Sequence, residues 1–162
     1  MRVLILLAAL LLAPAAQAAQ LPTPSSTATA PVDAAAYMAS VAKQPGIVVT
    51  DSGLGYKIGR SGPASGLHPR LGDQVRVSYE GRLTDGTVFD SSAANGGPLV
   101  MTVGQLVPGW NEALQLMRPG DDWTLYVPPA LGYGDQPSGP IPANSVTVFR
   151  LQLLGIVPPA AQ

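Results

Sequence analysis

The sequence predicts an α+β domain in which about six antiparallel strands surround one short helix. Alternating apolar and polar residues, as in Val75–Leu83, are typical of half-buried antiparallel strands. The one substantial helical pattern in the second half of the chain is Trp110–Met117, where Ala113 and Leu114 share an apolar face with Trp110. Clusters of glycine and proline separate these stretches and mark the loops. Together these observations favour a mixed sheet-and-helix fold with one core.

The N-terminal residues have the pattern of an export signal followed by a linker. An apolar run at Val3–Leu12 follows a positive start, and Ala16–Ala18 supplies the small-x-small pattern that signal peptidase reads. We predict a signal peptide over residues 1–18, with cleavage after Ala18 or Ala19, because the run is too short to span a membrane. Cleavage after Ala18 leaves 144 of the 162 residues, enough for one domain. Residues 19–33 lack large apolar groups and predict a flexible linker.

Composition excludes several classes of function. The chain has no cysteine, which excludes disulfides, thiol catalysis and cysteine-based metal sites. A single histidine, His68, argues against a histidine-cluster metal site, so we predict no metal and no cofactor. The net charge is −1 and no basic patch is visible, so nucleic acid is not an expected partner.

A short N-terminal helix is predicted within residues 34–46. Asp33 is a favourable N-cap for Ala34–Lys43, in which apolar residues recur at helical spacing, and Pro45 with Gly46 ends it. The main domain is then predicted over residues 47–156, with a tail at 157–162. Its first two strands, Ile47–Thr50 and Leu54–Ile58, flank a turn at Asp51–Gly53.

The rest of the domain follows the same patterns. A loop at Gly59–Gly72 leads to the strand Val75–Leu83, and Asp85 with Gly86 predicts a hairpin turn after it. Pro108 and Gly109 open the helix, and Pro119 with Gly120 ends it. The further predicted strands are Val100–Val103, Asp122–Val127 and Val146–Leu154, and the long loop between the last two is Pro128–Ser145.

Five ordered motifs in this domain carry a family resemblance. They are Gly72–Leu83, Asp85–Ser92, Val103–Leu114, Leu131–Gly134 and Ile141–Phe149. In this order they resemble the FKBP-type peptidyl-prolyl cis-trans isomerases. The match covers roughly Ile47–Leu154, and Tyr37–Lys57 is similar to the lead-in of the exported bacterial members.

The resemblance implies an FKBP-like curved antiparallel β-sheet wrapped over one short α-helix, with a pocket between them. Trp110 would form the pocket floor. Tyr133 would present its hydroxyl to a substrate carbonyl, the Val107 backbone N–H would bind another, and Asp90 would lie at the pocket edge. Asp90 and Tyr133 are therefore the predicted catalytic residues. The predicted substrate-binding residues are Tyr79, Phe89, Leu99, Leu106, Val107, Trp110, Ile141 and Phe149.

The implied activity is rotation about X–Pro bonds in unfolded or proline-containing polypeptides. Amide resonance sets a barrier of about 18–20 kcal/mol, and no bond is broken, so the reaction requires neither a nucleophile nor a metal. The resemblance and the signal peptide together imply a periplasmic or secreted protein without a membrane span, able to bind macrolides such as tacrolimus and rapamycin. We predict a monomer, because Ala34–Lys43 is too short to form a stable coiled dimer by itself. The alternative is a non-catalytic chaperone or adaptor that uses the same groove to bind extended chains.

Several residues also have plainer interpretations. Tyr79, Trp110 and Phe149 could serve as core alone, and Asp90 could cap a turn with the serines that follow it. His68 is interpreted as an ordinary loop residue. The chain also departs from the usual family pattern. Leu99 and Met101 stand where aromatic residues are common, Gly132 where alanine is usual, and Ala143 where proline is frequent, which predicts a wider pocket wall and a looser loop.

Overall fold

The structure is a computed structural model that describes residues 33–158. The predicted signal peptide, the linker apart from Asp33 and the last four residues of the tail lie outside the described part of the chain. The elements in chain order are α1 (Ala34–Ala42), β1 (Ile47–Val49), β2 (Gly55–Arg60), β3 (Gln74–Leu83), β4 (Val88–Ser91), β5 (Leu99–Thr102), α2 (Pro108–Leu116), β6 (Asp122–Val127), a 3-10 turn at Pro129–Leu131, and β7 (Thr147–Val157).

One antiparallel sheet contains seven strands in the order β1-β2-β6-β7-β3-β4, and β5 also pairs with β3. The predicted α+β class is confirmed. The strand beyond the six or so expected is β4, which follows the predicted turn at Asp85 and Gly86. β3 pairs with β7 along its whole length, while its other edge pairs first with β5 and then with β4. β3 therefore pairs with three strands, β7 along one edge and β5 and β4 along the other.

Helix α2 covers the inner face of the sheet. Its buried residues are the ones that the periodicity predicts, and they join a core formed by alternate residues of β3, β6 and β7. On β7, Phe149, Leu151 and Leu153 all point into this core and are at most 2% exposed. The helix starts at Pro108, two residues earlier than predicted, because proline fits the first turn, where its missing N–H is not needed.

Helix α1 packs on the other face of the sheet. Asp33 caps it as predicted, since its Oδ1 accepts hydrogen bonds from the backbone N–H groups of Ala35 and Ala36. The helix contacts the sheet at Gly55, where an added Cβ would lie 3.4 Å from Met38 Cε. Gly55 pairs with Tyr126, so both face the side of the sheet on which α1 lies. Leu125, the neighbour of Tyr126 in β6, is buried in the core beneath α2. Because successive residues of a strand face opposite sides, α1 and α2 lie on opposite faces of the sheet. Neither helix of the described residues is long and apolar enough to cross a membrane.

The buried hydroxyl of Thr147, at the start of β7, lowers the stability of the domain. Its side chain is fully buried, and its Oγ1 has no hydrogen-bond partner within the described residues. Burying an unpaired hydroxyl opposes folding, so we expect Thr147→Val to raise the free energy of unfolding by about 1 kcal/mol. Urea denaturation would measure the change. Thr124→Val, at a partly exposed position on β6, is the control and should shift stability by less than about 0.5 kcal/mol. A destabilised Thr147→Val variant would contradict the prediction.

Candidate active site

A cleft of about 130 Å³ opens between the inner face of the sheet and the start of α2. It is mostly apolar, and the one carboxylate in its lining is Asp90. Within residues 33–158, no group of three His, Asp or Glu side chains is arranged to hold a metal ion. The lining residues are Tyr79, Asp90, Met101, Leu106, Val107, Trp110, Tyr133 and Phe149.

Aromatic rings packed edge to face form the floor and wall of the cleft. Trp110 is 4% exposed, and its ring centroid lies 5.1 Å from those of both Tyr79 and Phe149. Phe89 continues the series, at 5.6 Å from Phe149 and 6.2 Å from Tyr133. Edge-to-face pairs at these distances are favourable and directional. The five rings therefore form a single packed unit, and Tyr79, Trp110 and Phe149 serve as core and cleft wall together.

Gly81 makes this packing possible. It lies within β3, near its C-terminal end, and an added Cβ would be 2.7 Å from both Phe149 Cε1 and Phe89 Cζ, closer than real contacts allow. Phe89 packs behind the wall, against Phe149 and Tyr133, and does not line the cleft. The sequence analysis missed Gly81. The available signal was a glycine inside an alternating strand, which often marks a close approach.

Asp90 is held by two neutral donors. The Tyr79 hydroxyl donates to Asp90 Oδ2 at 2.6 Å, and Asn95 Nδ2 donates to Oδ1 at 2.9 Å. Burial, followed by this bond to Asp90, raises the pKa of Tyr79 to about 12, so the phenol stays protonated and keeps donating. In the turn that follows, Ser91 Oγ accepts a hydrogen bond from the Ala94 N–H, while Asp90 meets the same turn through the side chain of Asn95. Sequence reasoning did not identify Asn95.

Ser92 connects this carboxylate to β3. It is 2% exposed, its Oγ accepts from the Tyr79 backbone N–H at 3.0 Å, and its own N–H donates to the Tyr79 carbonyl at 2.9 Å. These bonds fall between the parts of β3 that pair with β5 and with β4. They align the end of β4 with Tyr79 and so place Asp90 within reach of the Tyr79 hydroxyl.

Tyr133 reaches the cleft from the loop after β6. Burial and the negative charge of Asp90 raise the pKa of Tyr133, so its hydroxyl is protonated at neutral pH. No hydrogen-bond partner of that hydroxyl is found within the described residues, which leaves it able to donate to a bound molecule. The backbone on either side is held by hydrogen bonds from the N–H groups of Gly132 and Gly134 to the Pro129 carbonyl, at 3.0 and 2.9 Å.

Val107 supplies a second donor to the cleft. It is the N-cap residue of α2, and its backbone N–H has no acceptor within the described residues. The side chain of Asn111 fixes the preceding turn: its Oδ1 accepts from the Gly104 N–H at 2.7 Å and its Nδ2 donates to the Leu106 carbonyl at 2.7 Å. Asn111 therefore holds the chain on either side of Leu106 in the conformation that presents Val107. The sequence analysis did not identify it.

Besides Phe89, two further predicted binding residues do not line the cleft. Leu99 lies in β5, where it pairs with Val77 of β3, and Met101, on the same face of β5, lines the cleft instead. Ile141 is 4% exposed, and its backbone exchanges two 2.9 Å hydrogen bonds with Ser138, which holds it within the loop. The structure thus brings together Tyr79, Asp90, Leu106, Val107, Trp110, Tyr133 and Phe149, with Phe89 behind them.

The fold and the cleft define a class of small domains in which a curved antiparallel sheet and one helix enclose an aromatic pocket. The family described as "FKBP-type peptidyl-prolyl cis-trans isomerase" matches residues 66–154. The chain belongs to this family, as its motifs predict.

Named relatives agree with this assignment. The chain is 45% identical over 125 residues to the FKBP-type peptidyl-prolyl cis-trans isomerase FkpA of Aeromonas hydrophila, which covers 77% of this chain and 46% of that protein. It is 44% identical over 122 residues to the outer membrane protein MIP of Legionella longbeachae, covering 75% and 52%. The chain therefore spans about half the length of these relatives.

Solved structures share the fold. The crystal structure of FkpA from Escherichia coli superposes with a TM-score of 0.72 at 36% identity, covering 77% of this chain and 58% of that one. The crystal structure of AtFKBP13 superposes with a TM-score of 0.64 at 33% identity, covering 68% and 98%. The FKBP-like sheet wrapped over a short helix is therefore confirmed.

Proposed function

We propose that this protein is a peptidyl-prolyl cis-trans isomerase that accelerates X–Pro rotation in exported polypeptides during folding. The observation that carries the proposal is the aromatic cleft of about 130 Å³, which offers the Tyr133 hydroxyl and the Val107 N–H as donors. Membership of the isomerase family supports it.

The geometry suits a reaction that only twists a bond. Rotation passes through a state in which the C–N bond has lost its double-bond character and the amide is less polar than when planar. An apolar, aromatic cleft favours this state over the planar amide, which loses more hydration on entering. The Tyr133 hydroxyl and the Val107 N–H can hold the flanking carbonyls in the twisted arrangement, so binding energy is used in the transition state. Asp90 orients the Tyr79 hydroxyl at the rim.

Removing the Tyr133 hydroxyl tests the site. We expect Tyr133→Phe to lower kcat/KM about tenfold, because one transition-state hydrogen bond is lost while the ring stays packed against Phe89. A protease-coupled assay on an X–Pro peptide measures the rate, and unchanged urea denaturation would show that the domain is intact. Tyr126→Phe on the opposite sheet face is the matched control and should keep the parental rate.

The same assay separates catalysis from simple binding. Asp90→Ala should also slow the reaction, because Tyr79 loses its acceptor. Unchanged rates in both Tyr133→Phe and Asp90→Ala would refute the proposed site. A parental rate equal to the uncatalysed background, with proline peptides still bound, would favour the alternative of a non-catalytic chaperone or adaptor. Inhibition by tacrolimus would tie the activity to this cleft.

We further propose that the protein is exported and acts as a monomer. The N-terminal pattern over residues 1–18 supports removal of a signal peptide and a location in the periplasm or outside the cell. The isomerase domain would then be residues 47–156 on a flexible tether, with unfolded, proline-containing polypeptides as partners. The nine residues of α1 are too few for a stable coiled dimer. Mass spectrometry of the exported chain and sedimentation test these points, and a tight dimer would contradict them.

A further inference from the structure

The turn between β1 and β2, Thr50–Leu54, contacts helix α2, although it lies outside the part of the chain that the family matches. That match begins at residue 66. Ser52 Oγ donates a hydrogen bond to Glu112 Oε2 at 2.6 Å, between residues 60 apart in the sequence. Within the described residues, Ser52 is the only hydrogen-bond partner of the Glu112 carboxylate, which takes part in no ion pair there. The turn is therefore bonded to the helix whose first turn carries Trp110.

The turn is closed by its own hydrogen bonds. The Thr50 N–H donates to the Leu54 carbonyl and the Gly53 N–H donates to the Thr50 carbonyl, both at 2.9 Å. Thr50 Oγ1 lies 2.8 Å from Ser52 Oγ. Because the single hydroxyl proton of Ser52 is directed at Glu112, Thr50 is the donor in this pair. These bonds hold the Ser52 hydroxyl in the orientation in which it meets Glu112.

The same turn supports α2 at a second point. Leu54 is fully buried, and a Cβ added at Gly109 would lie 3.4 Å from Leu54 Cδ1 and 3.0 Å from Val127 Cγ1. Gly109 and Glu112 are three residues apart in α2, so they lie on the same face of the helix. Contacts of one turn at both positions oppose rotation of α2 about its own axis.

Rotation of α2 would move the floor of the cleft. Trp110 directly follows Gly109, and its ring packs edge to face with those of Tyr79 and Phe149. Side chains reach about 5–6 Å from the axis of a helix, so a rotation of about 10° displaces an indole atom by about 1 Å. A displacement of about 1 Å in an active site can lower the rate by up to about 100-fold. A contact that restrains the helix therefore also restrains the surface against which a proline ring would pack.

We propose that Ser52 and Glu112 are positioning residues of the isomerase cleft, whose hydrogen bond holds α2 in the rotation that presents Trp110 to the proline ring. This inference rests on the proposed isomerase function. Neither residue lines the cleft, so their effect reaches a substrate only through α2. Ala113 and Leu114 keep the helix on the sheet when the bond is removed, because both are fully buried in the core.

Removal of either side chain tests the bond. Ser52→Ala and Glu112→Ala should each lower kcat/KM on an X–Pro peptide about fivefold, and the double variant should lose no more than a single one. Glu112→Gln keeps a carbonyl oxygen as acceptor and should stay within about twofold of the parental rate. A loss in Glu112→Gln as large as that in Glu112→Ala would overturn the inference. Ser40→Ala removes a 2.6 Å serine hydrogen bond on α1 and is the matched control with the parental rate.

The indole N–H signals in a proton–nitrogen NMR spectrum separate positioning from a loss of stability. The Trp110 signal should shift in Ser52→Ala and in Glu112→Ala, whereas that of Trp123, which stacks on Tyr56 outside the cleft, should stay in place. Parental rates in both single variants, losses that add in the double variant, or an unshifted Trp110 signal would each overturn the inference alone. A parental chain without turnover would overturn the proposed function, and an unshifted Trp110 signal would still refute the role of the bond.

Discussion

Replacing Gly81 by alanine is expected to destabilise the domain by about 1–3 kcal/mol and to lower kcat/KM more than tenfold. The added Cβ would lie 2.7 Å from Phe149 Cε1 and from Phe89 Cζ, so one or both rings must move. Both rings belong to the edge-to-face series that includes Trp110 and Tyr133. A shift of the wall therefore changes the cleft as well as the core. Urea denaturation and the isomerase assay, run on the folded variant, measure the two effects.

Gly155→Ala is the matched control. Gly155 also lies in a strand, pairs with β3 opposite Arg76, and has open space where a Cβ would be added. The same chemical change there should leave kcat/KM unchanged and alter stability little. Equal losses of activity in the two variants would mean that backbone restriction, and not the aromatic contact at Gly81, causes the effect.

Trp110→Ala is expected to cost about 3–5 kcal/mol of stability and to abolish measurable isomerase activity. The indole is 4% exposed and forms the floor of the cleft, in contact with the rings of Tyr79 and Phe149. Its removal leaves a void in the core and takes away the surface against which a proline ring would pack. Denaturation curves give the stability, and the assay at low temperature gives the activity of the folded fraction.

Trp123→Ala controls for the loss of stability. Trp123 has the same 4% exposure and, like Trp110, a buried Nε1 without a partner in the described residues. It stacks on Tyr56 at 4.4 Å and does not line the cleft. We expect a comparable stability loss with kcat/KM retained in the folded fraction. Retained activity in Trp110→Ala would remove Trp110 from the site.

Local patterns predicted most of the strands and both helices. Alternation in Val75–Leu83 reflects the two-residue period of a half-buried strand, and the observed β3 begins only one residue earlier. Asp122–Val127 was predicted with the bounds that the structure has. The predicted and observed boundaries differ at the start of α2, which begins at Pro108, two residues before the predicted start, because proline fits the first turn of a helix. The ordered motifs also pointed to Trp110, Tyr133 and Asp90, all of which line the cleft.

The residues that prediction missed act over contacts that no local pattern encodes. Asn95 is important because its amide meets Asp90, and Asn111 because its amide meets the turn before Val107. Both look like ordinary polar loop or helix residues in the sequence. The resemblance placed Phe89, Leu99 and Ile141 at the site, but none of these three lines the cleft.

The sequence alone determined the fold class, the order of the elements and the aromatic and acidic residues from which a site could be built. The strand Val75–Leu83 and the pair Phe89 and Asp90 were recognisable because periodicity and motif order are local properties. The tertiary structure decided which rings meet, that Gly81 leaves them room, and that Asp90 is held by the neutral side chains of Tyr79 and Asn95. These properties depend on distances between residues far apart in the chain, and such distances exist only once the sheet has folded over α2.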